Sequence, residues 1–404
     1  MPTFAPLPAF APRGMSPAGL LAWIHIGDLH MVHPAVPDLP SSLGDLHAIV
    51  RQLNTSFAGR ASFVYLPGDN ADHGDNPAYT AVREALDQLH LPWCAIVGDH
   101  DVHEKSHANF LAALSPQLTY SFTVGRVRFL ALNAFDVPEP PSFTLLAPQL
   151  DWITQQLGEA HTAGQRAVLL LHCYPGDLKE GRERLQQLIA QYSPLVVDMG
   201  HTHYNEISND GETLYTATRS TGQVEEGPVG FSVTTLDFGP DSSAAPSIAW
   251  RFFPLAPLQQ GQPAVLITQP SDSCLITRST PEPGHAIRAA IWSAEALASV
   301  TVTVADGPSL PMHHIASADG PDTWQYELPA ALTAASATIT VTATTVSGHA
   351  GSDSITCSAV AHPAIATTPP TSATAHEDYY VTPAWPEHGL LGTQLGPNKN
   401  GRKW

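Results

Sequence analysis

Lysine and arginine are scarce in this chain: 18 of them stand against 37 aspartates and glutamates over 404 residues, a formal charge of −19. So negative a balance repels polyanions unless a local positive site is built in, which disfavours a general nucleic-acid partner. Long apolar runs are also missing, and no stretch approaches the ~18 to 20 continuous residues a membrane helix needs. Residues 1–19 are rich in Pro and Ala but lack a basic start, an apolar run and a cleavage site, so the default expectation is a cytoplasmic protein, with the periplasm left open. Cysteine is sparse: Cys94, Cys173, Cys274 and Cys357 are far apart and form no Cys-x-x-Cys pair. A zinc knuckle and a disulfide scaffold are thereby disfavoured and reduced thiols expected, although Cys274 and Cys357 are placed to meet in an oxidising compartment.

What the chain does have is length and histidine. At 404 residues with 43% hydrophobic content it exceeds what one core usually organises, so two or three domains are expected. Twenty histidines are many for so little lysine, and imidazole is both the commonest metal ligand and a proton carrier near neutral pH.

Short apolar runs at 21–26, 63–66, 93–97, 167–171 and 195–199 alternate with segments of helical period at 43–57, 77–89 and 148–157, the pattern of parallel strands joined by helices. Two further runs, 118–124 and 127–133, flank Gly125-Arg126 and read as a hairpin. Each of the five apolar runs hands over to a polar cluster: Gly27-Asp28-Leu29-His30, Gly68-Asp69, Gly98-Asp99-His100-Asp101, His172, and Gly200-His201-Thr202-His203. Ligands of α/β sheets bind outside the carboxyl ends of strands, so these clusters should converge. A lone Asp-x-His is usually a cap or a turn; an ordered series supplying three carboxylates and four imidazoles besides His100 is a ligand set. Mixed carboxylate and imidazole donors suit Mn, Fe, Zn or Co better than Mg or Ca.

After about residue 240 the texture becomes rich in Pro, Ser and Thr, with β-branched runs at 264–268, 286–292, 300–304, 324–327, 337–343 and 354–359 spaced like sandwich strands. The expected organisation is an extension (1–19), an α/β domain carrying the clusters (20–256), an all-β sandwich (257–361) and an extended tail (362–404).

Asp28-x-His30, Gly68-Asp69, Gly98-Asp99-His100-Asp101, His172 and Gly200-His201-x-His203 together resemble the ordered signature of the calcineurin-like metallophosphoesterase superfamily, over roughly 20–254. Gln149-Leu150-Asp151-Trp152, and Glu225-Glu226-Gly227 ahead of Gly230-Phe231, resemble its class III cyclic-nucleotide phosphodiesterase branch. The resemblance implies a four-layer α+β sandwich and two divalent ions: Asp28, His30 and His203 on one, His172, His201 and Asp99 on the other, and Asp69 bridging. It implies that His100 stabilises charge on phosphorus or protonates the leaving oxygen, and that a small phosphodiester or phosphomonoester is hydrolysed by in-line attack of a metal-bridging hydroxide. The later strands resemble an immunoglobulin- or fibronectin-type module, through Val265-Leu266-Ile267 and the run at 300–304, which is an analogy of fold alone. Homo-oligomer formation is left open.

The chain departs from that family at Asp99, where Asn is usual. A third negative charge weakens the Lewis acidity of a divalent pair and repels an anionic substrate; the alternative is that Asp99 is simply tolerated. Asp72 stands where purple acid phosphatases carry Tyr, and His73 where protein phosphatases carry Arg, so neither branch is indicated. A competing expectation is a weak or inactive phosphoesterase-like protein that binds or adheres through its sandwich. Among neighbouring residues, Asp72 and His73 read either as ligand-orienting groups or as a solvated turn, Asp101 as a hydrogen-bonder of the loop after His100, Cys173 as buried, and His33, His103 and His107 as surface residues.

Overall fold

The computed structural model describes residues 10–32, 42–57, 59–135, 142–223, 227–240, 245–281, 284–315, 320–330, 332, 336–357 and 380–383. His33, Glu225, Glu226 and most of the expected tail lie outside them. In chain order come β1 (Leu20–His25), α1 (Leu43–Gln52), β2 (Phe63–Leu66), α2 (Asn76–Leu86), β3 (Trp93–Ala95), α3 (Ala108–Ala113), β4 (Tyr120–Val124), β5 (Val127–Ala131), α4 (Ala147–Thr162), β6 (Arg166–Leu170), α5 (Arg182–Tyr192), β7 (Val196–Met199), β8 (Glu206–Asn209), β9 (Leu214–Ala217), β10 (Gly230–Asp237) and β11 (Ser247–Pro254).

These strands build two sheets rather than one. A five-stranded sheet runs β11-β10-β1-β2-β3, with β1, β2 and β3 parallel and β10 antiparallel to β1. The other holds β8-β9-β7-β6-β5-β4, with β5, β6, β7 and β9 parallel. The alternation within β1 shows how they stack. Leu21 and Trp23 pack with Phe129, Val168 and Val196 of the second sheet, while Leu20, Ala22 and Ile24 pack with Leu46, Ile49 and Val82 of α1 and α2. The outer face of the second sheet is covered by Ile153 and Leu157 of α4 and Leu185 and Ile189 of α5. The result is four layers, helix, sheet, sheet, helix. A strand buried on both faces has no polar side, so it reads as a continuous apolar run.

Local signals explain several boundaries. Asp75 caps α2, its side chain accepting from the Ala78 N–H at 2.9 Å, and Pro77 occupies the first turn, where its missing N–H costs nothing. The segment expected as one helix over 43–57 is α1 followed by a π-helical turn at Leu53–Phe57. Sequence patterning did not pick out α5 or β8 to β11. Helix α5 carries Arg182, Glu183, Arg184 and three glutamines and buries only Leu185, Leu188 and Ile189, and β8 to β10 bury Ser208, Thr216, Ser232 and Thr234, so polar residues sit where the pattern expects apolar ones.

Beyond β11 come α6 (Leu255–Gln259), β12 (Ala264–Gln269), β13 (Ala286–Trp292), β14 (Leu297–Val304), β15 (Leu310–Pro311), β16 (His313–Ile315), β17 (Asp322–Glu327), β18 (Ala337–Thr345), β19 (Ala350–Cys357) and β20 (Tyr380–Pro383). They form sheets β12-β13-β17-β16 and β15-β14-β18-β19, whose Val265, Ile267, Ile291, Val302, Ile339 and Val341 share a core. The short β15 and β16 lie outside the expected runs, and His313 and His314 are exposed on β16. This region is seated on the first. Ala264 and Leu266 of β12 and Ala290 and Trp292 of β13 belong to the same core as α1, and Trp292 stacks on Phe57 at 4.9 Å. Arg251 pairs with Asp353, and Arg60 with Asp322 at 2.7 Å, across the junction. Strand β20 extends the second sheet by pairing parallel to β8. Among the described residues, no helix is long and apolar enough to cross a membrane.

Candidate metal centre

Strands from both sheets end at one place. Asp28 and His30 follow β1, Asp69 follows β2, Asp99 and His100 follow β3, His172 follows β6, and His201 and His203 follow β7. One ligand atom each from Asp28, His30, Asp69 and His203 lie within 4.8 Å of one another, as do one each from Asp69, Asp99, His172 and His201. Asp69 belongs to both groups: its Oδ2 lies 3.5 Å from His30 Nε2 and 3.4 Å from His172 Nε2. Elsewhere Asp28 Oδ2 is 3.7 Å from His203 Nε2, and Asp99 Oδ1 is 3.1 Å from His172 Nε2 and 3.3 Å from His201 Nδ1.

The local backbone is shaped for this convergence. His30, Asp69, His201 and His203 all adopt positive φ, between 41° and 66°, in the left-handed region that non-glycine residues avoid. Such strain persists where surrounding structure enforces it, as at functional sites. The glycines preceding these residues leave room: a Cβ on Gly98 would lie 2.1 Å from Asp69 Oδ1, one on Gly200 2.3 Å from Asp28 Oδ1, and one on Gly68 2.4 Å from His172 Nδ1.

Partners behind the cluster aim it inward. His172 Nδ1 donates to the Pro67 carbonyl at 2.8 Å, leaving Nε2 to face the carboxylates. His30 Nδ1 meets Asp72 Oδ1 at 3.1 Å, and the His201 N–H donates to Asp28 Oδ2 at 2.7 Å. Asp101 is fully buried and accepts from the backbone N–H groups of Asn70, Ala71 and Gly98 and from the Tyr79 hydroxyl, tying the loops after β2 and β3 together. That agrees with its expected part as a loop hydrogen-bonder. Asp72, for which a solvated turn was the alternative, is an orienting residue: it also holds His100, whose Nδ1 donates to the Asp72 carbonyl at 2.9 Å.

The residues fit cations. Asp28 Oδ1 and Asp69 Oδ2 are buried without a hydrogen bond. His30 Nε2 and His203 Nε2 face each other at 3.0 Å, a spacing at which one cation can serve both nitrogens. The electrostatics agree. Burial disfavours a charged His172, yet the Asp69 and Asp99 carboxylates raise its pKa well above the ordinary value. Burial and the Asp99 charge oppose ionisation of Asp69, but His172 and His30 draw its pKa down to about 2. Burial likewise opposes the charged Asp99, whereas His201 and His172 hold it well below the usual carboxylate range. The anionic pocket thus seeks positive charge, from protons or from metal.

His100 marks the open side, with its side chain 33% exposed against 13% for Asp99 and 8% for His201. Phe143 closes another flank, edge-on to the His201 ring at 4.7 Å. His73 is exposed, the solvated-turn alternative, and His103 is half-buried, but His107 is not a surface residue: it is buried, its Nε2 3.0 Å from the Phe135 carbonyl. Cys173 is buried. Phe143 and Gln223, whose amide donates to Asp72 Oδ1 at 3.2 Å, went unseen in the sequence because neither sits in a recurring pattern.

Residues 23–205 match the family model described as Calcineurin-like phosphoesterase, and the mixed α/β layers and the Asp/His cluster accord with that superfamily. A probable cyclic nucleotide phosphodiesterase of Synechococcus sp. is 27% identical over 197 residues, covering 46% of this chain and 75% of that protein. Among solved structures, a dimetal phosphatase from Danio rerio is similar with 15% identity and a TM-score of 0.47, over 58% of this chain and 96% of that one. GAP50, the anchor in the inner membrane complex of Plasmodium, is similar with 14% identity and a TM-score of 0.42, over 58% of this chain and 85% of that one.

Proposed function

We propose that the protein is a metal-dependent phosphoric ester hydrolase that cleaves a small phosphodiester. The observation that carries this reading is that one carboxylate oxygen, Asp69 Oδ2, faces both ligand groups. Asp28, His30 and His203 would hold one ion, Asp99, His172 and His201 the other, and Asp69 both. When bound, two such ions polarise a phosphoryl oxygen and lower the pKa of a water for in-line displacement. The chain's own part is to fix these donors rigidly and to present His100 at the open edge, where its imidazole meets the substrate and serves the leaving oxygen as acid.

Asp99 bears on the substrate. Asp28, Asp69 and Asp99 bring three negative charges into the cluster. A diester carries about one negative charge and a monoester about two near neutral pH, so the added carboxylate penalises the monoester more. The cyclic-nucleotide phosphodiesterase relative points toward the same class of ester. We read residues 257–361 as a β-sandwich module that braces the first region.

The test is hydrolysis of bis-p-nitrophenyl phosphate with added Mn2+. The wild type should turn over and stop on chelation, His100→Ala should lose ~10²- to 10⁴-fold in rate, and Asp69→Ala should be inactive. Metal binding without turnover by the wild type would instead favour a binding protein that has lost catalysis.

A further inference from the structure

Between the two sheets, behind the ligand cluster, lies a wholly buried carboxylate that the proposed chemistry does not use. Asp198, on β7, accepts from His25 Nδ1 at 2.8 Å and Thr216 Oγ1 at 3.2 Å through Oδ1, and from Trp23 Nε1 at 2.8 Å through Oδ2. The Tyr65 hydroxyl donates to the Asp198 carbonyl at 3.4 Å. His25, Asp198 and Trp23 are all 0% exposed. An apolar interface is the ordinary content of such a layer, and a carboxylate placed there is costly unless its hydrogen bonds are satisfied.

Its position is what matters. His25 and Trp23 belong to β1 of the five-stranded sheet and Asp198 to β7 of the other, so the His25 and Trp23 bonds cross between layers that share no backbone ladder, while Thr216 of β9 holds Asp198 from within its own sheet. His25 stands three residues before Asp28, and Asp198 three residues before His201. Both candidate ion groups draw ligands from both sheets, so a slide of one sheet against the other would open them together. Apolar packing resists such a slide weakly, because it is non-directional, whereas hydrogen bonds fix distance and direction.

We propose that Asp198, with His25 and Trp23, is a positioning group that locks the register of the two sheets and so sets the separation of the metal ligands. This rests on the metal-centre reading above. None of the three touches the ions or the substrate; they act through the strands that carry the ligands. Groups that orient metal ligands typically account for ~10- to 100-fold in metal affinity.

Mn2+ titration calorimetry of the chelated full-length protein, paired with its thermal unfolding, distinguishes positioning from stability alone. His25→Leu and Asp198→Leu should weaken Mn2+ binding ~10- to 100-fold. Arg288→Met, which breaks the buried Arg288–Asp237 pair outside the cluster, should lower the melting temperature and leave Mn2+ affinity unchanged. Should either leucine variant fail to fold, Trp23→Phe decides, since it removes one donor to Asp198 and keeps a ring in the core; a several-fold loss of affinity is expected. Variants that bind Mn2+ as tightly as the parent, whatever their melting temperature, overturn the proposal. A parent that binds no Mn2+ overturns the metal-centre reading instead.

Discussion

The glycines that precede the candidate ligands are constrained as tightly as those side chains themselves. Gly98→Ala would place a methyl carbon 2.1 Å from Asp69 Oδ1, and Gly200→Ala 2.3 Å from Asp28 Oδ1, and neither carboxylate has room to retreat in a fully buried site. Each variant should keep the far-ultraviolet circular dichroism of the parent and lose Mn2+ binding by an order of magnitude or more; retained affinity would show that the loops can yield. At His100, burial lowers the pKa, but the Asp72 hydrogen bond and the Asp69 and Asp99 charges outweigh it and lift the metal-free imidazole from 6.5 to about 10. The stabilisation from this cation is therefore complete below about pH 6.5 and is lost as pH rises through about 10. Replacing Asp72 by Asn should bring the His100 titration, followed by NMR in chelated protein, back toward 6.5, and bound metal ions should lower it as well, since cations disfavour a nearby imidazolium. A titration that ignores Asp72 would contradict the dyad.

At the level of elements, β12 and β13 divide their faces between two cores. Ala264, Leu266, Ala290 and Trp292 complete the core under α1, while Val265, Ile267, Ala289 and Ile291 fill the one between the later sheets. Trp292→Ala removes a fully buried ring stacked on Phe57 and the indole N–H bond to the Arg60 carbonyl at 2.8 Å. A loss of about 3 to 5 kcal/mol follows, and it should appear in urea unfolding of the whole chain as a single transition at lower midpoint. Two separate transitions, with only the later one shifted, would contradict the shared core. The same elements show what the sequence discloses. Strands β1, β2, β3, β6 and β7 are legible because each is mostly apolar and is followed within three residues by a glycine or histidine that announces the site. Strands β8 to β10 are not, because they bury Ser, Thr and Glu206 where the period expects aliphatic side chains. The sorting of parallel runs into two sheets is also invisible, since pairing is a long-range choice, and so is the Asp198 cluster, whose members lie 173 and 175 residues apart. The convergence of the Asp and His clusters was readable for the opposite reason: each member sits beside the chain feature that places it.

Over the whole molecule, the −19 charge and the three carboxylates at the centre act in one direction, disfavouring highly anionic substrates and drawing in small cations. The junction of the two regions lies against the helices and strands of the first sheet, so the later sheets brace the frame from which β1, β2 and β3 deliver Asp28, Asp69 and Asp99. All of this depends on two ions sharing Asp69. Crystals of the full chain grown with Mn2+ and measured at the manganese absorption edge test that directly. Two anomalous peaks about 3.5 to 4 Å apart are expected, one among Asp28, His30, Asp69 and His203 and the other among Asp69, Asp99, His172 and His201. A single peak, or two peaks of which only one touches Asp69, would contradict the account.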